Sequence, residues 1–170
     1  EHDENAQSIL ITNSKIFADQ VLEHIQNLLT TVSKQNIINL SLKKNGLIVL
    51  MDDLLLSYKI INKIAPEHLH LQSSEKQNIL KYVNNAGGIF LGNYSTEAFG
   101  DYVVGTNHIL PTSGAAKFSS GLGVIDFMKK SSIVEINKSS FDILSKHVEN
   151  ISDVENLDAH KLSVTIRQTK

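Results

Sequence analysis

Cysteine is absent from this 170-residue sequence. That excludes disulfides, thiolate metal sites, iron–sulfur clusters and cysteine nucleophiles together. A basic excess is missing too: Lys+Arg number 16 against Asp+Glu 18, a formal net charge of -2. Neutralising phosphates needs the opposite balance, so nucleic acid is not an expected partner. No apolar run approaches the roughly 18–20 residues that span a bilayer, and no membrane association is expected. What remains is an ordinary soluble composition, 41% hydrophobic. The length suits about one domain, able to bury roughly 70% of its unfolded surface. A cytoplasmic setting is the default expectation. The chain opens on Glu1-His2-Asp3-Glu4-Asn5 without a Met. That start reads as a piece of a longer polypeptide.

Along the chain, short apolar runs alternate with helical periods. Ile9-Leu10-Ile11 is a continuous apolar strand, of the kind covered on both faces. Asn13 or Ser14 can cap a helix whose apolar residues run from Ile16 to Leu29 at three- and four-residue spacings. Leu47–Met51 follows the turn signal Asn45-Gly46 as a second strand. Asp52 or Asp53 caps a helix over Leu54–Ile64, which Pro66 stops. Glu67–Leu71 alternates polar and apolar as a half-covered strand. A helix is expected from Ser74–Glu75 to about Asn85, then a buried strand at Ile89-Phe90-Leu91. Strand–helix alternation of this kind indicates parallel α/β architecture.

Gly92 to Gly123 breaks the pattern. It is rich in Gly, Ser, Thr and Asn, carries Asp101, His108 and Pro111, and reads as a long functional loop. Beyond it come an expected short strand at Ile133–Ile136, a helix from Ser139 or Ser140 to about Val148, and a short helix near Val154–His160.

Two groupings carry chemistry. Glu67-His68 sits at a helix-to-strand transition, and a Glu/His pair is suited to general acid–base work; an exposed strand edge is the bland alternative. His and Asp are good zinc donors, but His2, Asp101 and His160 are too scattered to form a local motif. His24 and His147 fall within helical periods and read as structural or solvated, and His70, on the same strand face as His68, as a surface residue or a support behind the site. Gly87, Gly88 and Gly92 precede a strand instead of opening a helix, so they make no dinucleotide cradle.

In order, the motifs are Glu1-His2-Asp3-Glu4-Asn5-Ala6-Gln7-Ser8, Ala65-Pro66-Glu67-His68-Leu69, Asn84 to Ser95, Glu97-Ala98-Phe99-Gly100-Asp101-Tyr102, Asn107-His108-Ile109-Leu110-Pro111-Thr112-Ser113-Gly114, Phe118-Ser119-Ser120-Gly121-Leu122 and Leu157-Asp158-Ala159-His160-Lys161. Over essentially its whole length the chain resembles histidinol dehydrogenase, the enzyme of the last step of histidine biosynthesis, and specifically its C-terminal part. The resemblance implies zinc- and NAD-dependent oxidation of L-histidinol to L-histidine through L-histidinal. It makes Glu67 and His68 the catalytic pair. It makes His2, Asp101 and His160 zinc ligands, with a further Gln ligand three residues before His2. It makes His2, His68, Asp101, His108, Glu155 and His160 contacts of the substrate. The nicotinamide-binding residues would lie upstream, so no cofactor-binding residue is assigned within the chain.

The implied fold is α/β, with Rossmann-like parallel sheet segments and a small α-rich C-terminal module. Residues 1–65 would be the second half of a Rossmann-like domain. Residues 66–122 would return to the first such domain and carry the active-site loops. Residues 123–170 would form a dimerisation module exchanged within a homodimer, with Glu155 and His160 completing the partner's site. The fragment alone would be inactive. The competing reading is a non-catalytic zinc-binding or dimerisation module. The sequence departs from the family pattern in two places: His70 stands where an acidic residue is common, and Asn156 where Gly is usual. Asn tolerates the positive φ that such a Gly implies.

Overall fold

The computed structural model describes residues 1–168 and divides into two compact units, Glu1–Phe127 and a second beginning at Met128. In the first unit, β1 (Ile9–Thr12) is followed by α1 (Lys15–Leu29), which Ser14 caps by accepting a hydrogen bond from the Phe17 N–H. β2 (Leu47–Leu50) returns parallel to β1, with Ile9 opposite Leu47. Between them lies α2 (Gln35–Asn45), a helix that the apolar spacing did not announce. Its buried position is a serine: Ser41 is 5% exposed and donates from Oγ to the Ala6 carbonyl at 2.8 Å. A helix held by a polar contact leaves little trace in an apolar pattern.

After a short 3-10 turn at Leu54–Leu56, α3 (Ser57–Ile64) leads into β3 (His68–Leu71), which pairs in parallel with β4 (Gly88–Leu91). The expected 75–85 helix is much shorter: α4 covers only Lys76–Leu80. Asn62 of α3 explains the early stop. Its Oδ1 accepts from the Asn84 and Asn85 N–H groups at 2.8 and 3.2 Å, and its Nδ2 donates to the Tyr82 carbonyl at 2.8 Å. Backbone groups engaged by a side chain are not free to continue a helix. The expected loop from Gly92 contains a further short helix, α5 (Glu97–Tyr102).

The fold is thus mixed α/β with two small parallel sheets, β1–β2 and β3–β4. The core of this unit is small: Ile61, Leu69, Leu71 and Ile79, with Leu54, Leu55 and Val83 among the partly buried residues around it.

The second unit contains α6 (Lys138–Glu155) and α7 (Asp158–Gln168). Asn137 caps α6 by accepting from the Ser140 N–H at 2.9 Å. The helix runs seven residues past the expected Val148 and ends at Asn156, whose φ of 56° is left-handed. An Asn at that position therefore serves where a Gly would. The strand expected at Ile133–Ile136 does not form. Ile133 is 95% exposed and Val134 78%. An apolar run becomes a strand only with a ladder partner, and none of the described residues supplies one. Among the described residues, no helix is long and apolar enough to cross a membrane.

Candidate active site

The site begins with the geometry of one junction. α3 ends at Ala65, wholly buried and left-handed at φ 54°, its N–H donating to the Ile61 carbonyl at 2.7 Å. Pro66 prevents the helix from resuming. The chain then runs alongside Gly87 and Gly88, whose N–H groups donate to the Pro66 and Glu67 carbonyls at 2.9 and 2.7 Å. A Cβ on Gly87 would stand 2.6 Å from the Glu67 carbonyl oxygen, so only glycine permits this approach. Here lies the purpose of the Gly pair that makes no phosphate cradle.

Along β3 the side chains alternate. Leu69 and Leu71 face the core, while His68 and His70 share the opposite face, half-buried. Phe90 of β4, opposite His70 in register, lies against both imidazoles, with ring centroids 5.9 Å from His68 and 5.2 Å from His70. α5 approaches the same ring. A Cβ on Gly100 would meet the Phe90 ring at 2.8 Å, so the buried Gly100 sets how closely the helix sits.

Two acids of α5 then meet two histidines of β3. His70 Nε2 lies 3.2 Å from Glu97 Oε2, and His68 Nε2 lies 4.0 Å from Asp101 Oδ1. The spacing is commensurate: two residues along a strand advance about 6.6 Å, and four along a helix about 6 Å. Sequence reading found Asp101 and His68 but missed Glu97, Phe90 and Gly100 as their framework. The available signal was the i,i+2 histidine pair with a downstream i,i+4 acid pair.

His68 Nε2 is buried, with no hydrogen-bond partner among the described residues. The 4.0 Å to Asp101 is too long for a hydrogen bond, yet one small polar group can bridge both. Buried polar atoms normally have a partner, and an orphan of this kind marks where an outside group belongs. Glu67, one residue before the strand, is half-buried and lines the same open cavity of about 1,470 Å³ as His68.

Neither His2 nor His108 lines that cavity. His2 is exposed, ahead of a turn in which Asp3 Oδ1 accepts from the Asn5 N–H at 2.6 Å. His108 is exposed on a loop joined to α5 by Thr106, which donates from Oγ1 to the Gly100 carbonyl at 2.9 Å. Glu155 ends α6 and His160 lies in the first turn of α7, both exposed, in the second unit. Lys161 fastens their turn by donating to both Asp153 carboxylate oxygens at 2.7 Å. That hydrogen bond holds the Lys161 pKa above its usual value.

The chemistry of His2, Asp101 and His160 suits zinc, with imidazole nitrogens and a carboxylate oxygen. No three His, Asp or Glu side chains gather into a metal-holding group among the described residues.

The family model for histidinol dehydrogenase matches residues 1–168. The chain belongs to the histidinol dehydrogenase family. It is 44% identical over 168 residues to the histidinol dehydrogenase of Aquifex aeolicus, covering 99% of this chain and 39% of that protein. Against the Rhodospirillum rubrum histidinol dehydrogenase it is 43% identical over 171 residues, covering 100% of this chain and 39% of that one. The crystal structure of histidinol dehydrogenase from Elizabethkingia anophelis superposes with a TM-score of 0.88 at 33% identity, over 99% of this chain and 39% of that one. The chain thus spans about two fifths of the length of these relatives.

Proposed function

We propose that the chain supplies the acid–base corner of a cytoplasmic, NAD- and zinc-dependent histidinol dehydrogenase, oxidising L-histidinol to L-histidine through L-histidinal. In this reading its strands belong to Rossmann-like domains completed by other parts of a family-length polypeptide. Residues 123–170 pair two subunits, with Glu155 and His160 completing the partner's site. The single observation that carries the reading is the orphaned Nε2 of His68, held between Phe90 and Asp101 beside Glu67.

A neutral imidazole at that position accepts the alcohol proton on Nε2 while hydride leaves the adjacent carbon. Asp101, 4.0 Å away, stabilises the imidazolium that results. At the aldehyde stage, Glu67 removes a proton from water as its oxygen adds to the carbonyl carbon. The hydrate then loses the second hydride. Two molecules of NAD⁺, bound in turn, would supply the acceptor for one hydride each. Glu155 and His108 offer polar contacts to the substrate's amino and imidazole groups. Zinc, when bound, would orient the substrate's amino and imidazole groups, and no proton or hydride is routed through it. In this reading His2, Asp101 and His160 hold it in the assembled enzyme.

The test uses a family-length enzyme carrying this chain's sequence over the matched stretch. His68→Ala should lower histidinol-dependent NAD⁺ reduction by about 100-fold or more, the usual share of one acid–base group, while zinc content stays constant. Glu67→Gln should slow histidinal oxidation more than the first hydride transfer. Wild-type turnover by the His68 variant removes that residue from the mechanism. Mixing inactive His68→Ala and His160→Ala subunits should restore part of the activity, and no rescue despite proven subunit exchange argues against sharing across a dimer.

A further inference from the structure

α2 carries a row of side-chain donors whose partners lie outside α2. A serine inside a helix ordinarily returns its hydroxyl to the carbonyl four residues back, as Ser145 of α6 does to Phe141. Ser41 instead donates to the Ala6 carbonyl at 2.8 Å, 35 positions away in sequence. Asn45 Nδ2 donates to the Asn5 carbonyl at 3.0 Å and to the Ala6 carbonyl at 3.3 Å, and Lys44 Nζ donates to Asn5 Oδ1. Positions 41, 44 and 45 are neighbours on one helix face. Gly46 fixes where that face stops. Its N–H caps α2 on the Leu42 carbonyl, and a Cβ there would stand 2.5 Å from the same oxygen. The Asn45-Gly46 pair therefore does more than mark a turn.

What these donors hold is not the sheet. The β1–β2 ladder starts at Ile9 opposite Leu47 and is already closed by the Leu47 N–H on the Ser8 carbonyl at 3.0 Å. Asn5 and Ala6 lie ahead of it, in a polar and mostly exposed stretch. That stretch is folded back on itself. Asp3 Oδ1 accepts from the Asn5 N–H at 2.6 Å and from Asn5 Nδ2 at 3.1 Å, and the Asp3 carbonyl accepts from the Ala6 N–H at 3.1 Å. α2 grips Asn5 and Ala6, and the turn ties Asp3 to both. His2 comes next, so a single peptide link separates it from a secured backbone.

We propose that Ser41 and Asn45 are positioning residues for His2: they hold the Asp3–Ala6 turn against α2 and so aim the imidazole before any ligand arrives. The inference rests on the reading above in which His2 is a zinc donor. Ordering one residue of free chain costs roughly tenfold in an equilibrium constant. A turn released from α2 should therefore weaken zinc binding by about one to two such factors, and a turn opened only at Asp3 by about one.

The experiment strips metal from a family-length enzyme carrying this chain's sequence over the matched stretch. The zinc dissociation constant is then measured by chelator competition, with backbone hydrogen exchange on the same samples. The double variant Ser41→Ala, Asn45→Ala should raise that constant about 10- to 100-fold. Its Asn5 and Ala6 amides should exchange about 10-fold faster, while the Leu47 amide in the ladder keeps its rate. Asp3→Ala, on an exposed turn clear of the core, should raise the constant about 10-fold. An unchanged constant in either variant overturns the inference. So does a raised constant that comes with lost protection at Leu47, because that is damage to the sheet and not to the aim of His2. Should the double variant fail to fold, Asp3→Ala decides alone. His2→Ala separates the two readings. If it leaves zinc affinity unchanged, the donor role of His2 falls and the positioning with it. If it weakens zinc binding and the double variant does not, the positioning alone falls.

Discussion

The β3–β4–α5 corner and the α6–α7 hairpin carry candidate residues by opposite means. In the corner, His68 and Asp101 are placed by close backbone approach: Gly87 against Glu67, Gly100 against Phe90, and a buried left-handed Ala65 at the entrance. In the hairpin, Glu155 and His160 are placed by polar fastenings, Asn156 in the turn and Lys161 on Asp153. The first arrangement tolerates no added atom. The second tolerates exchange, because exposed groups can rehydrate when a partner is lost. This difference sets the order in which substitutions should hurt.

The largest effect is expected from Ile61→Ala. Ile61 is one of four residues in the small core beneath β3, and truncation there should cost about 2–4 kcal/mol, read as a lowered urea midpoint. Gly100→Val should follow, at about 1–3 kcal/mol, because its Cβ must displace the Phe90 ring. A fully stable Gly100→Val protein would mean that α5 is free to shift, against the contrast drawn above. In the hairpin, Asn156→Ala should cost about 1 kcal/mol and Asn156→Gly nothing, as expected for a left-handed cap. Lys161→Met should have the smallest effect. Because the folded pKa of Lys161 is raised, its contribution is complete below the ordinary lysine value of 10.5 and fades as pH climbs past it. A hairpin equally stable at pH 8 and pH 11.5 would show that the lysine contributes nothing.

The sequence was most legible where apolar spacing and a capping or breaking residue agreed. Ser14 before α1, Pro66 after α3 and the alternation of Leu69 and Leu71 with His68 and His70 all have direct counterparts in the fold. It was least legible where a side chain spends backbone hydrogen bonds. Asn62 shortens α4, and Ser41 seats α2, and neither effect has a period. Ile133–Ile136 failed for a different reason, since strand propensity describes one strand and a ladder takes two. At the site, residue chemistry singled out Glu67, His68 and Asp101, while the framework of Phe90, Gly100 and Glu97 depends on the register of β3 with β4, which one chain's pattern does not encode. His70, readable from the sequence as a surface residue or a support behind the site, faces Glu97 at 3.2 Å.

Ala65 has no chemistry to offer, yet it decides where Glu67 and His68 point. Enclosed on all sides at φ 54°, it leaves room for one methyl group at most, and glycine is the sole alternative that the backbone would welcome. Randomising Glu67 and His68 in a directed-evolution library would therefore exchange the tools while leaving the hand that aims them untouched. Re-aiming them would have to begin two residues earlier, at Ala65 itself.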